Sequence, residues 1–136
     1  MKYITGIHAL NLNCSLETSG DWHQSAIQWD KPNMADTEGS IFGEYGIELC
    51  EHVPENEGIH YIANTLRALL DLMEKGNFAV AQGMRVNYID NEKYTNELMN
   101  KALKLSGLKN WKEIDRFIES EYKLDWLNYK RSVGVC

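Results

Sequence analysis

Long apolar runs, paired cysteines and N-terminal positive charge are what this chain lacks. No uninterrupted apolar stretch approaches the roughly 20 residues that cross a bilayer, so a membrane-spanning helix is not expected. The opening segment from Met1 to Leu10 is broken by Thr5, Gly6 and His8, which argues against a secretion signal. The three cysteines, Cys14, Cys50 and Cys136, form an odd set without paired spacing. They read as reduced thiols of a cytoplasmic protein. Leu12 and Asn13 precede Cys14, where a lipidated bacterial cysteine needs small residues. Prolines number only two, and no repeat or low-complexity tract occurs, so neither a disordered nor a solenoid architecture is indicated.

The positive charge is unevenly placed. Residues 1–55 hold two lysines, Lys2 and Lys31, against nine acids, while residues 56–136 hold twelve bases against eleven acids. The acidic N-terminal part repels phosphate backbones and disfavours nucleic-acid binding. It suits a basic protein partner, or simple solubility.

What is present is a chain of 136 residues, 43% hydrophobic and 25% charged, enough for a single domain around one core. Residues 3–12 read as a strand buried on both faces, and residues 13–21 as a polar loop. Residues 21–29 fit either a helix capped by Asp21 or a strand; a strand could pair with residues 40–49. Residues 30–40 read as a loop. Residues 41–49 read as a strand bent by Gly43 and Gly46. Ile59, Ile62, Ala63, Leu66, Leu69, Leu70 and Met73 follow helical spacing and predict an amphipathic helix over 58–75, stopped by Gly76. A short helix over 77–84 follows. Asp90 reads as the cap of a helix reaching Leu105. Asn110 and Glu113 suggest a capping box for a helix from Trp111, with a continuation to about Lys130. A β-rich N-terminal third followed by helices indicates α+β: a small antiparallel or mixed sheet packed on three to four helices.

The chemistry-bearing residues concentrate between His8 and Trp29. Cys14, Asp21 and His23, with His8 nearby, supply the residue types of a thiol nucleophile, an orienting acid and a base, which would suit a small hydrolase or transferase. The structural alternative is that Cys14 is a small buried apolar group, His23 anchors a hydrogen-bond network and Asp21 caps a turn. His8, Cys14, His23, Cys50, His52 and His60 could ligate a metal. They show neither Cys-x-x-Cys nor His-x-x-x-His spacing, so neither a metal nor another cofactor is expected. The glycine-rich stretch Gly39 to Gly46 lies among acids, which suits a bent strand and not a phosphate cradle. Glu38, Glu44 and Glu48 could include an acid–base pair, with Glu44 and Glu48 on one face of a strand. A solvated acidic face is the simpler account. Trp111 and Trp126 fit helix packing. Trp22 and Trp29 are the better interface anchors, with Glu44, Tyr45 and Glu48 beside them as a surface for a basic partner.

Thr5-Gly6-Ile7-His8-Ala9-Leu10-Asn11-Leu12, Gly20-Asp21-Trp22-His23 and Gly39-Ser40-Ile41-Phe42-Gly43-Glu44-Tyr45-Gly46-Ile47-Glu48, with Ile62-Ala63-Asn64, Arg67-Ala68-Leu69-Leu70-Asp71 and Trp111-Lys112-Glu113-Ile114-Asp115, span most of the chain. In these segments it resembles a group of short bacterial proteins of Firmicutes type whose genes neighbour toxin–antitoxin systems or mobile elements. The resemblance implies a small cytoplasmic antitoxin-like or accessory binding protein. It brings no catalytic residue or ligand with it.

Overall fold

Every strand among the described residues is only three or four residues long, so the sheet depends on what packs on its faces. The computed structural model describes residues 1–18, 27–89 and 91–135. Strands β1 (Lys2–Ile4), β2 (Met34–Asp36), β3 (Ile47–Cys50) and β4 (His60–Ala63) form one sheet in the order β2-β1-β4-β3. β1 pairs antiparallel with β2 and parallel with β4 through Ile4 and Ile62. β4 pairs antiparallel with β3, setting Leu49 opposite Tyr61 and Ile47 opposite Ala63. Helices α1 (Gly6–Leu10), α2 (Thr65–Glu74), α3 (Phe78–Ala81), α4 (Met84–Asn87), α5 (Glu92–Ala102), α6 (Trp111–Tyr122) and α7 (Leu124–Ser132) complete the fold. The expected α+β arrangement, with the sheet in the N-terminal half and most helices after it, is what the chain adopts.

Several expected elements differ. The strand expected over 3–12 stops at Ile4, and the chain turns into α1. Gly6 allows this turn. Its φ is +66°, and an added Cβ would lie 3.0 Å from the Asn33 side chain. The loop expected over 30–40 contains β2, because Met34–Asp36 supply the ladder partners of β1. The strand expected over 41–49 is a run of turns through Gly46, with β3 beginning only at Ile47. β3 pairs with β4, and most of the 21–29 segment expected to pair with residues 40–49 lies outside the described residues.

The helix expected over 58–75 is a strand followed by a helix. Asn64 divides them by accepting a hydrogen bond from the backbone N–H of Arg67, which caps α2. Before it, Ile62 and Ala63 are both buried on successive positions, one toward each side of the sheet. After it, every residue of α2 from Thr65 to Met73 is buried, so this helix is the axis of the domain.

Two apolar layers result. Tyr3, Ala63 and the inner side of α2 join Met84, Leu98, Ile114, Ile118, Tyr122 and Trp126 in the larger core. The opposite sheet face carries a smaller core of Ile4, Leu12, Trp29, Val53 and Ile62. In the helical half, Asn91 caps α5 by accepting from the Lys93 N–H. Asp90, the expected cap, lies outside the described residues. Asn110 precedes α6 as expected, but its side chain makes no cap bond; its amide donates to the Glu74 carbonyl at 3.5 Å. Trp111 meets Trp126 edge-on, as expected of helix-packing residues.

Candidate functional site

The sheet side of α2 is organised by a buried polar network that begins with Arg67, which is fully buried. Its Nε donates to Asp71 Oδ1 at 2.8 Å, one helical turn away. Its remaining nitrogens donate to the Gly43 and Tyr45 carbonyls at 2.7 and 2.5 Å and to the Tyr3 hydroxyl at 2.9 Å. Tyr3 and Thr5 in turn donate to Asp71 Oδ2 at 2.5 and 2.7 Å. Burial, reinforced by donation to Asp71, pushes the Tyr3 phenol well above its ordinary pKa. Gly46 lets the turn approach: a Cβ there would meet the Arg67 Cβ at 2.7 Å. A buried Arg and Asp at i, i+4 signal this pair in the sequence, but attention to the His8–Trp29 run passes over it. Both Asp71 oxygens are engaged as acceptors, so the network is a clamp between β1, the 41–46 turns and α2.

Of the two histidines of the expected thiol–imidazole site, His8 is engaged elsewhere, while His23 lies outside the described residues. His8 is buried on α1. Its Nδ1 accepts from the Asn33 N–H at 3.1 Å, which leaves Nε2–H to donate to the Gln28 carbonyl at 2.8 Å. Its ring meets Trp29 edge-on at 4.9 Å. With both nitrogens engaged by backbone, His8 has no nitrogen left to act as a base toward Cys14. Cys14 is half-buried, with Sγ 3.5 Å from the Thr65 hydroxyl, which Thr18 also contacts. Asp21, Trp22 and His23 lie outside the described residues.

The binding residues expected around Trp29 are also redistributed. Trp29 is only 2% exposed and belongs to the smaller core, so it is not a surface anchor. Glu48 accepts from both the N–H and the hydroxyl of Ser15 at 2.8 and 2.7 Å, pinning the 13–18 segment to β3. Glu44 is exposed in a turn, so it shares no strand face with Glu48. The Tyr45 hydroxyl donates to Glu97, and its ring lies 4.3 Å from the Lys101 ammonium. Tyr45 thereby joins the turns to α5. Among the described residues, no group of three or more His, Cys, Asp or Glu is gathered as a metal site. No helix among them is long and apolar enough to cross a membrane.

An exposed apolar strip lies elsewhere on the sheet. Leu49 and Tyr61, cross-strand partners, are 61% and 42% exposed, and Ile59 is 60% exposed. Cross-strand partners stand on one face of a sheet, so Leu49 and Tyr61 form a continuous surface. β3 is an outer strand of the sheet, paired with β4 alone among the described residues. The sequence hides this strip because its helical spacing places Ile59 on the buried face of a helix.

Neither protein-family models, nor curated proteins, nor solved structures yield a match to this chain.

Proposed function

We propose that this protein is a small cytoplasmic binding module whose exposed β3–β4 face and β3 edge receive a basic protein partner, in the manner of an antitoxin or accessory protein. The observation that carries the reading is the exposed Leu49–Tyr61 pair within an acidic surround. Between Lys31 and Arg67 the chain has no lysine or arginine, while Asp36, Glu38, Glu44, Glu48, Glu51, Glu55 and Glu57 fall in the same interval. Glu44, Glu51, Glu55 and Glu57 are all exposed. Apolar contact would supply affinity at the centre, and the carboxylates would steer a cationic partner and exclude acidic ones. The outer edge of β3, unpaired among the described residues, adds backbone donors and acceptors that can extend the sheet by an incoming strand.

The test is a photo-crosslinking residue placed at Leu49 in the native host, followed by calorimetry with the purified partner. A basic partner is expected, bound more weakly as salt rises, with Leu49→Lys lowering affinity by about tenfold or more. Absence of a crosslink from Leu49, an acidic partner, or an unchanged affinity in Leu49→Lys would each overturn the reading.

A further inference from the structure

The helical half contains a cleft of about 490 Å³ between α4, α5 and α7, within the roughly 300–1,000 Å³ range of small-molecule sites. Its lining is polar: Arg85, Glu92, Asn96, Tyr122, Asp125 and Asn128 contribute to it. Arg85 and Asp125 face each other at 3.6 Å. Glu92, Asn96 and Asn128 make no side-chain hydrogen bond or ion pair among the described residues. Tyr122 is 1% exposed, and its hydroxyl is buried without a hydrogen-bond partner.

We propose that this cleft binds a neutral polyhydroxylated ligand, a sugar of one or two rings. A single cation, already facing a carboxylate, with a second carboxylate beside it, disfavours an anion such as phosphate. Ile89 and Met99 offer too little apolar wall to sandwich a flat base. Sugar hydroxyls both donate and accept. Glu92 and Asp125 can accept from them, Arg85 can donate, and the Asn96 and Asn128 amides can do both. The half-buried ring of Tyr129 lines the same cleft and offers a surface for the C–H face of a pyranose.

The experiment is amide-resolved NMR titration of the full chain with glucose, N-acetylglucosamine and maltose, and separately with inorganic phosphate and spermidine. At least one sugar is expected to give saturable shifts confined to α4, α5, α7 and the end of α6, with a Kd of about 1 mM or tighter. Asn128→Leu is expected to weaken that binding by about tenfold. Asn128 is exposed, so Asn128→Leu should leave the thermal melt unchanged and separate binding from folding. The proposal is overturned if no sugar gives saturable shifts at about 50 mM, far above the expected Kd. Saturation of the cleft by phosphate or spermidine instead overturns it, as does unchanged sugar affinity in Asn128→Leu.

Discussion

Replacing Asp71 by alanine should destabilise the protein by about 3 kcal/mol, the lower end of the usual cost of breaking a buried ion pair. The loss is multiple. Arg67 would keep a buried charge without its carboxylate, and the Tyr3 and Thr5 hydroxyls would lose their common acceptor. The lower end applies because Asp71 lines two clefts of about 360 and 280 Å³, through which water can approach the vacated position. At roughly 3–4 °C per kcal/mol for a chain of this length, the thermal midpoint should fall by about 10 °C. Circular dichroism melts and urea titration measure both quantities. An ordinary buried pair can often be replaced by apolar residues without loss. This one also holds the Gly43 and Tyr45 carbonyls through Arg67. Arg67→Met with Asp71→Leu should therefore remain about 1–3 kcal/mol below wild type, since two carbonyls lose their donor. A single Asp71→Ala within about 1 kcal/mol of wild type would refute the clamp; full recovery in the double variant would refute its role in holding the turns.

His8→Ala should cost about 2–3 kcal/mol, because it removes two hydrogen bonds to backbone and an edge-on contact with Trp29; equal stability by urea titration would exclude the pinning role. Tyr122→Phe should raise the stability of the unliganded protein by about 1 kcal/mol or more, by removing a hydroxyl without a partner; a lower thermal midpoint would contradict the assignment. Stability should also fall at alkaline pH. Burial holds the Tyr3 and Tyr45 phenols well above their ordinary value and pushes Tyr122 up to about 12. The unfolded phenols ionise from about pH 10, so between that point and the folded pKa the unfolded state binds fewer protons and the free energy of unfolding declines. Ultraviolet titration should show these phenols ionising only as the fold is lost; free titration of all seven tyrosines near pH 10 in the folded protein would refute it.

The helical half was legible in the sequence because its signal is redundant. In α6, Ile114, Ile118 and Tyr122 recur at helical spacing and all three are buried. The sheet was harder to read, because strands of three or four residues carry too few alternations to establish a period. Residues 59–63 show this: Ile59, Ile62 and Ala63 fit a helical face that continues into Leu66, yet Ile59 is exposed and Asn64 marks the true start of α2. Gly6 hides a turn for the same reason. An apolar run on either side of it reads as one strand, and only its positive φ reveals the break.

The polar residues of the His8–Trp29 run reveal a general consequence of such short strands. A sheet with few ladder bonds must recruit side chains to hold its loops. His8 bonds to the backbone at Gln28 and Asn33, Glu48 holds Ser15, and Asn56 donates to the Trp29 carbonyl at 2.8 Å. Residue types that elsewhere act on ligands are thus engaged here in the fold itself. Concentration of histidine, cysteine and tryptophan in sequence is weak evidence of a site when the strands beside it are short. Under the two proposals, binding falls instead to the exposed Leu49–Tyr61 pair on the sheet and to the polar cleft between α4, α5 and α7. The first is apolar surface facing water and the second is a hollow lined by polar side chains. The two call for chemically different partners, and blocking one should leave the other free to bind.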